Sequence, residues 1–354
     1  MWLDEIPAKR RRMVSLSVAA LVGAATTTFG LPKPAQAATA ADASTDTALG
    51  IALEGYPYPG PVHFLPVHAG AGPVRMAYMD FAPTIAANDR TVFLLHGKNF
   101  DSSYWAGPIE WLRGAGYRVV VPDQIGFNKS AKPDTEYTFE MLAANTMALA
   151  DSLGLNRITV FGHSTGGMLA VRLTSIFPDR VDKLVLEDPI GLVDYRAFIE
   201  PQATETLVAA ERNYTAQTYR NFIAHYFPIL PPAQYEPFVT WRMRIALSAE
   251  FERFALASAL TYQMIYRGPV VDLYGTLKPP VLLVAGEADQ SAPLSGYATP
   301  DQRARMPRIP DAAKTMVSCI PRGRLVTYPS VGHVPHLEVA ARFRGDLLGF
   351  LNGA

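Results

Sequence analysis

The sequence predicts an α/β fold in which a mainly parallel sheet is covered by helices on both faces. Short apolar runs of strand length alternate with stretches in which apolar residues recur at helical spacing. Such alternation is typical of parallel strands that are connected through helices. A third observation supports the same fold: one apolar run ends at a turn that contains Gly162, Ser164 and Gly166, and a helical pattern follows at once.

Eight apolar runs are predicted as strands. Gly70 and Pro73, residues typical of turns, separate the first two, which are expected to pair as an antiparallel hairpin at the edge of the sheet. The predicted strands cover residues 62–67, 75–81, 91–95, 117–121, 158–161, 183–187 and 280–286, and the last begins at residue 325. Helical patterns at residues 102–112, 138–153, 168–177 and 335–351 supply the covering layers.

The charge of the chain is balanced, with 32 basic and 32 acidic residues. A nucleic-acid-binding surface or a membrane-surface patch would require an excess of basic residues, so neither partner is expected. A small neutral or weakly charged molecule is the expected partner. Cys319 is the single cysteine, which excludes an intrachain disulfide. The sequence leaves the oligomeric state open.

Residues 1–37 are predicted to be an export signal that is cleaved. Arg10, Arg11 and Arg12 precede a moderately apolar run, and a small-residue cleavage site ends at Ala37. The paired arginines resemble a twin-arginine signal, which implies a periplasmic or secreted protein. An uncleaved membrane anchor is the alternative, but serine, threonine and glycine dilute the run. No stable membrane insertion is expected after cleavage.

Ser164 is the predicted nucleophile. A serine on a sharp turn between a strand and a helix occupies a strained backbone position, so its neighbours must be small enough for strand and helix to pass closely. Gly162 and Gly166 meet that requirement. The helix that begins here also directs its free N–H groups and the positive end of its dipole towards the serine oxygen.

A second strand end supplies the predicted oxyanion hole. The third predicted strand leads into His96, Lys98 and Asn99, and ligands in such sheets lie beyond the carboxyl ends of the strands. The backbone amides of Lys98 and Thr165 are expected to hold an oxyanion together. His96 is expected to support the loop rather than to act as a base. The side chains of Asn99 and His163 are candidates for contact with substrate.

The predicted acid and base lie at two later strand ends. Asp289 follows the seventh strand through a turn, which suits a carboxylate that must hold an imidazole in one tautomer and balance its charge. Of the seven histidines, His333 follows the last strand in a turn, whereas His336 already belongs to the terminal helix. The chain order Ser164, Asp289, His333 is the one expected of this architecture.

Five short motifs together resemble the α/β-hydrolase superfamily. They are His96-Gly97, Asp123-x-x-Gly126, Gly162-x-Ser164-x-Gly166, Gly286-x-x-Asp289 and Gly332-His333-x-Pro335-His336. The resemblance covers nearly all of the chain after residue 37 and is strongest to the capped branch that contains bacterial esterases, carbon–carbon bond hydrolases and proline iminopeptidases. Haloalkane dehalogenases and epoxide hydrolases resemble the chain less, because their nucleophile is an aspartate where Ser164 stands. Some relatives take their acid from the end of the sixth strand, so Asp188 is the reserve to Asp289.

Residues 191–279 exceed what the sheet needs and are predicted to form a helical cap after the sixth strand. The hydrolase core is then divided into residues 38–190 and 280–354. The cap is rich in aromatic residues, most of which are expected to pack within it. A few are expected to roof the pocket and to favour an acyl or aromatic group over a charged one.

These features predict a serine hydrolase that cleaves a neutral, apolar or aromatic carboxylic ester through an acyl-enzyme intermediate. No metal ion or organic cofactor is implied. A proline iminopeptidase-like aminopeptidase, which would need a cap carboxylate for the free amine of its substrate, is one alternative. A carbon–carbon bond or lactone hydrolase is another. A non-catalytic binding protein on the same scaffold is disfavoured, because such a protein would normally have lost a member of the triad.

Overall fold

The computed structural model describes residues 46–353, and the predicted export signal at residues 1–37 lies outside them. Within the described part of the chain, eight strands form one sheet. The strands are β1 (Val62–Ala69), β2 (Gly72–Phe81), β3 (Thr91–Leu95), β4 (Arg118–Pro122), β5 (Ile158–His163), β6 (Val181–Glu187), β7 (Val281–Gly286) and β8 (Gly323–Tyr328).

The strand order in the sheet is β1-β2-β4-β3-β5-β6-β7-β8. β2 is antiparallel to both of its neighbours, and the other pairs are parallel. The mainly parallel, eight-stranded sheet and the hairpin at its edge are therefore confirmed. Because the strands from β3 to β8 all run in one direction, their carboxyl ends meet at one edge of the sheet, where ligands bind in folds of this kind.

Helices flank the sheet, and helices also form the segment between β6 and β7, which is called the cap below. Those of the described residues are α1 (Ala106–Gly114), α2 (Phe139–Ser152), α3 (Thr165–Ile176), α4 (Thr204–Arg212), α5 (Ala216–Ala224), α6 (Pro232–Ala246), α7 (Phe251–Arg267), α8 (Pro300–Arg305), α9 (Ile309–Met316), α10 (Pro335–Glu338) and α11 (Ala340–Asn352). The predicted terminal helix is interrupted at Val339, where φ is −131° and ψ is 45°. Across residues 46–353, none of the helices is both long and apolar enough to cross a membrane.

Two hydrophobic cores lie on the two faces of the sheet. Along β3, Val92 and Leu94 belong to one core, whereas Phe93 and Leu95 belong to the other. This alternation follows from the pleat of a strand, which directs successive side chains to opposite faces. Every residue of β3, β5 and β7 is buried, as expected for strands covered on both sides.

Asp123 holds the loop that follows β4. Its carboxylate accepts hydrogen bonds from the hydroxyls of Ser102 (2.5 Å) and Tyr58 (2.9 Å) and from the amide of Lys129 (3.0 Å). Asn128 in the same loop has a φ of 47°, a left-handed conformation that asparagine tolerates better than most residues with a side chain. The role of Asp123 is therefore structural, since it ties three separate segments together.

β5 and α3 cross at a distance that only glycine allows. A Cβ atom at Gly162 would lie 2.2 Å from the carbonyl oxygen of Gly166, and one at Gly166 would lie 2.0 Å from the carbonyl oxygen of Leu95. Both distances are far inside van der Waals contact. The end of β3, the end of β5 and the start of α3 can therefore meet only because both positions lack a side chain.

Gly162→Ala is expected to lower the free energy of unfolding by ~3 kcal/mol, because the added methyl group meets backbone that cannot move aside. Gly345→Ala is the matched control, since Gly345 lies within α11 with open space around its Cα atom. Alanine there should raise the free energy of unfolding by ~0.5–1 kcal/mol. Urea unfolding measures both values, and equal stability of the two variants would contradict the close crossing.

Candidate active site

Ser164 stands at the turn between β5 and α3, with φ 56° and ψ −118°. A positive φ is rare for a residue with a side chain and persists only where surrounding contacts hold it. Here the amide of Ser164 donates to the carbonyl of Glu187 (3.0 Å), and its carbonyl accepts from the amide of Gly167 (2.9 Å). The side chain lines a cavity. This is the backbone that the sequence predicts for a nucleophile elbow.

The loop after β3 passes directly over the elbow. A Cβ atom at Gly97 would lie 3.1 Å from the Cβ atom of Ser164 and 2.9 Å from Nδ1 of His163. His96 fastens this loop, because its Nδ1 lies 2.9 Å from the carbonyl of Gly97 and its Nε2 accepts from the amide of Gln124 (3.0 Å). With both ring nitrogens engaged, His96 supports the loop.

The backbone amides of Lys98 and Thr165 are the candidates for an oxyanion hole. Both residues line the same cavity as Ser164. Thr165 is the first residue of α3, so its N–H belongs to the free amides at the positive end of the helix dipole. Within residues 46–353, neither amide donates to another residue. Two unpaired amides beside a serine are what a developing oxyanion requires.

His333 and Asp289 form a buried pair, with Nδ1 of His333 2.8 Å from Oδ2 of Asp289. The amide of Ser291 donates to the other carboxylate oxygen (2.7 Å). Burial disfavours the charge of Asp289, but the imidazole of His333 and the hydrogen bond from the Ser291 amide outweigh it and hold the pKa of Asp289 below its ordinary value. His333 and Ser164 line the same cavity. Because the carboxylate occupies Nδ1, Nε2 is the nitrogen left for proton transfer.

Asp188, the reserve acid, lies beside this pair at the end of β6. Ligand atoms of Asp188, Asp289 and His333 lie within 4.8 Å of one another. The amide of Gly286 donates to Oδ1 of Asp188 (2.9 Å), and Oδ2 has no hydrogen-bond partner among the described residues. Burial, followed by the charge of Asp289, raises the pKa of Asp188 well above its ordinary value. The two adjacent carboxyl groups therefore have opposite pKa shifts: the pKa of Asp289, which bonds to the imidazole, is lowered, and the pKa of Asp188 is raised.

The expectation that His163 contacts substrate is not met. Its ring is fully buried, Nε2 donates to the carbonyl of His333 (2.8 Å), and Nδ1 accepts from the hydroxyl of Tyr104 (3.1 Å). Burial, followed by the charges of His333 and His336, lowers the pKa of His163 well below its ordinary value. His163 is therefore a neutral ring that holds the backbone of His333 from within the core.

Glu187, which precedes Asp188, is engaged elsewhere. Its carboxylate lies 2.8 Å from Nδ1 of His336 and accepts from the His336 amide (2.8 Å). Nε2 of His336 lies 3.2 Å from the carbonyl of Tyr104. Both Glu187 and His336 are buried. His336 thus belongs to the packing beneath the site, whereas His333 lines the cavity.

A cavity of about 480 Å³ opens beside Ser164 under the cap. Its volume suits a small organic molecule. Residues 290–297, which directly follow Asp289, form part of its wall. The cap contributes four aromatic side chains, which are Tyr214, Phe222, Tyr226 and Tyr262. Other cap aromatics, including Phe227 and Phe238, pack in the hydrophobic core.

The side chain of Lys98 runs along the cavity wall to α7. Its Nζ donates to the hydroxyl of Thr261 (2.7 Å) and to both the hydroxyl and the carbonyl of Ser258 (2.9 Å each). The ammonium also lies 4.0 Å from the centroid of the Tyr262 ring. Burial lowers the pKa of Lys98 to about 7. An ammonium has three donors, and here all three are engaged.

Glu211 is the acidic counterpart at this end of the cavity. Its two carboxylate oxygens accept from Arg242 (2.7 Å) and from the hydroxyl of Ser258 (2.5 Å). Arg242 is 2% exposed, and its guanidinium lies 5.0 Å from the centroid of the Phe254 ring. The charged groups near this wall are therefore paired within the protein.

Sequence patterns did not identify the cap residues of the site. Asn99, a candidate for substrate contact, does line the cavity, and its Nδ2 donates to the hydroxyl of Tyr226 (3.1 Å). Tyr226 and its neighbour His225 also line the cavity. Within α5, Phe222 lines the cavity whereas Tyr219 packs in the hydrophobic core, so helical spacing does not reveal which aromatic residue faces the serine.

Known proteins share this fold. Residues 90–340 match the family model described as the alpha/beta hydrolase fold. The solved structure of a probable hydrolytic enzyme from Pseudomonas aeruginosa PAO1 is 38% identical, with a TM-score of 0.83, and the match covers 86% of this chain and 98% of that one.

Two curated relatives differ in their activities. A 2-hydroxy-6-oxononadienedioate/2-hydroxy-6-oxononatrienedioate hydrolase from Paraburkholderia phymatum is 26% identical, over 81% of this chain and 94% of its own length. A haloalkane dehalogenase from Mycolicibacterium paratuberculosis is 34% identical over 38% of this chain, and the chain spans 44% of that relative's length. These relatives agree on the fold and differ in substrate.

Asp289→Asn is expected to lower turnover by about four orders of magnitude, because an amide at Nδ1 favours the wrong tautomer of the imidazole. Asp188→Asn is the matched variant at the neighbouring carboxyl and should change turnover by less than about tenfold, since Asp188 bonds to the amide of Gly286 and Asp289 is the acid that bonds to the imidazole. Steady-state kinetics of the two variants decides between the acids. A larger loss in Asp188→Asn would reverse the assignment.

Asp188→Asn is also expected to change how stability depends on pH. The folded protein keeps a proton on Asp188 that the unfolded chain releases, because the pKa is raised above its ordinary value of 3.8 on folding. The contribution of this carboxyl to stability is therefore complete below pH ~4 and is lost as pH rises through the raised pKa. Unfolding free energies from urea titrations should decline less with rising pH in Asp188→Asn than in the wild type. Parallel curves would show that Asp188 ionises normally.

Proposed function

Because the family model covers residues 90–340, the chain belongs to the α/β-hydrolase family, and we propose that it is a serine hydrolase that cleaves a neutral carboxylic ester through an acyl-enzyme intermediate. The observation that carries the proposal is the shared cavity wall. Ser164, His333 and the residues of two unpaired amides all line it, and Asp289 lies behind the imidazole.

In the proposed mechanism, His333 takes the hydroxyl proton of Ser164 while the serine oxygen attacks the ester carbonyl carbon. The amides of Lys98 and Thr165 hold the oxyanion, and Asp289 balances the charge of the imidazolium. His333 then gives the proton to the departing alcohol, which leaves Ser164 acylated. A water molecule that is deprotonated by His333 then attacks the acyl carbon, and His333 returns the proton to the Ser164 oxygen as the acid is released.

Ser164 disfavours the reaction named for the dehalogenase relative. A carboxylate that displaces a halide forms an alkyl ester, which water can hydrolyse. A serine that displaced a halide would form an ether, which a histidine and water cannot cleave. With a serine at the elbow, an acyl carbon is the centre that can be both attacked and released.

The charges on the cavity wall favour a neutral substrate. Lys98 is the one lysine or arginine among the lining residues within 46–353, and its donors are taken by Ser258 and Thr261. A carboxylate on the substrate would therefore meet no free cation there and would lose its hydration without compensation. Aromatic rings and aliphatic side chains such as Leu207 and Ile265 line much of the remaining wall.

The same wall disfavours an aminopeptidase. The cap glutamates that the sequence offered for a substrate amine are Glu200, Glu205, Glu211, Glu236, Glu250 and Glu252. Of these, Glu211 lines the cavity, and both of its oxygens already bind Arg242 and Ser258. A substrate amine would have to disrupt this buried ion pair, which is strongly unfavourable because Arg242 would be left uncompensated.

Short and medium p-nitrophenyl acyl esters are expected to be hydrolysed, and prolyl and alanyl arylamides to be cleaved far more slowly. A cavity of about 480 Å³ with a neutral wall accommodates such esters. Release of the chromogenic product across esters of graded acyl length measures the preference. Cleavage of the arylamides with negligible ester turnover would favour an iminopeptidase. Inactivity on both classes would favour a lactone or a carbon–carbon bond as the target.

Ser164→Ala is the control for this panel. It should abolish both ester turnover and labelling by a fluorophosphonate probe, while the unfolding midpoint and circular dichroism remain those of the wild type. Retained labelling in this variant would exclude Ser164 as the nucleophile.

A further inference from the structure

A turn of the cap lies against the turn that carries His333. This docking turn, residues 225–229, follows α5 directly. A Cβ atom at Gly332 would lie 2.3 Å from the carbonyl oxygen of Tyr226 and 2.3 Å from Cδ of Pro228. The contact therefore requires glycine immediately before His333, because any side chain at that position would push the docking turn away.

Tyr226 contacts His333 through both its backbone and its ring. The amide of His333 donates to the carbonyl of Tyr226 (2.9 Å). The two ring centroids lie 4.9 Å apart at an interplanar angle of 30°, and the ring of His163 also lies 4.9 Å from the imidazole. The bond to Asp289 fixes one nitrogen of the imidazole but permits the ring to tilt. The neighbouring rings restrict that tilt.

The hydroxyl of Tyr226 reaches the opposite half of the site. It accepts a hydrogen bond from Nδ2 of Asn99 (3.1 Å). Asn99 follows Lys98, whose amide belongs to the proposed oxyanion hole, and all three residues line the cavity. One cap side chain thus touches the base with its ring and the oxyanion loop with its hydroxyl.

Glu338 fastens the docking turn a second time. Its carboxylate accepts from the amide of Gly332 (2.7 Å) and from the amide of Ile229 (3.2 Å). One carboxylate thereby bridges the docking turn and the turn that carries His333. The position of Tyr226 against the imidazole is therefore supported by its own bond to His333 and by the bond from Ile229, three residues later, to Glu338.

We propose that Tyr226 is a positioning residue, which couples the docking of the cap to the orientation of His333 and of the Asn99 side chain. The inference rests on the proposed function, because it requires His333 to be the base for Ser164. A residue that only lines the cavity changes how tightly a ligand binds. A positioning residue changes the rate of the chemical step after binding.

The rate at which a fluorophosphonate probe labels Ser164 tests the proposal. Tyr226→Leu is expected to lower the limiting rate, kinact, by roughly ten- to a hundredfold with little change in KI, since a misplacement of about 1 Å can slow a reaction on the order of a hundredfold. Tyr226→Phe keeps the ring and should lower the rate much less than Tyr226→Leu does. Tyr266→Phe is the matched control and should leave kinact unchanged, because its hydroxyl donates to Ile199 (3.0 Å) away from the cavity wall.

A double-mutant cycle isolates the hydroxyl. Tyr226→Phe and Asn99→Ala remove the same hydrogen bond from its two ends. If that bond positions the oxyanion loop, each variant should lower kinact to a similar extent, and the double variant should be no slower than either. This cycle tests whether Tyr226 positions the Asn99 side chain even if Tyr226→Leu does not fold.

Three results would overturn the inference. They are an effect of Tyr226→Leu confined to KI, a kinact for that variant equal to that of Tyr266→Phe, and fully additive losses in the double-mutant cycle. Labelling does not depend on the ester: if Ser164 is labelled but no ester is hydrolysed, the proposed substrate fails and Tyr226 is still judged by kinact. A wild-type protein that is not labelled would overturn both proposals.

Discussion

The close approach of backbone segments at one edge of the sheet is the constraint on which the site depends. Cβ atoms at Gly162, Gly166 and Gly286 would lie 2.2, 2.0 and 1.9 Å from neighbouring carbonyl oxygens. Reacting groups must come within hydrogen-bond distance of one another, so the strand ends that carry them must nearly touch. Glycine permits this approach, and the resulting contacts hold Ser164 in its strained conformation.

The loop of residues 96–99 and the turn that contains His333 are joined twice. In the core, the amide of Gly97 donates to the hydroxyl of Tyr104 (3.0 Å), which bonds to His163 (3.1 Å), which in turn bonds to the carbonyl of His333 (2.8 Å). From the cap, Tyr226 contacts His333 with its ring and Asn99 with its hydroxyl. Both connections reduce the freedom of the two segments to move apart.

The buried ionisable side chains near the cavity are paired with an opposite charge, are fully hydrogen-bonded, or have a pKa that is shifted towards the uncharged form. The pKa of Asp289 is lowered because the imidazole of His333 outweighs the effect of burial, whereas burial and the charge of Asp289 raise the pKa of Asp188 beside it. Glu211 is paired with Arg242, and the ammonium of Lys98 is fully hydrogen-bonded. The strong donors left free beside the serine are the two backbone amides, which is where developing negative charge can be stabilised.

The sequence by itself determined the strands, the glycines of the elbow and the chain order Ser164, Asp289, His333, because strand pattern and turn chemistry are local properties. Only the tertiary structure decided which acid meets the imidazole, since β6 and β7 are parallel neighbours and bring Asp188 and Asp289 to the same place. The contacts between the cap and the core could likewise not be predicted from the sequence. Asn99 and Tyr226 are 127 residues apart, and Lys98 and Ser258 are 160 apart. Contacts over such separations are chosen by how the cap packs on the core, and no local pattern specifies that packing.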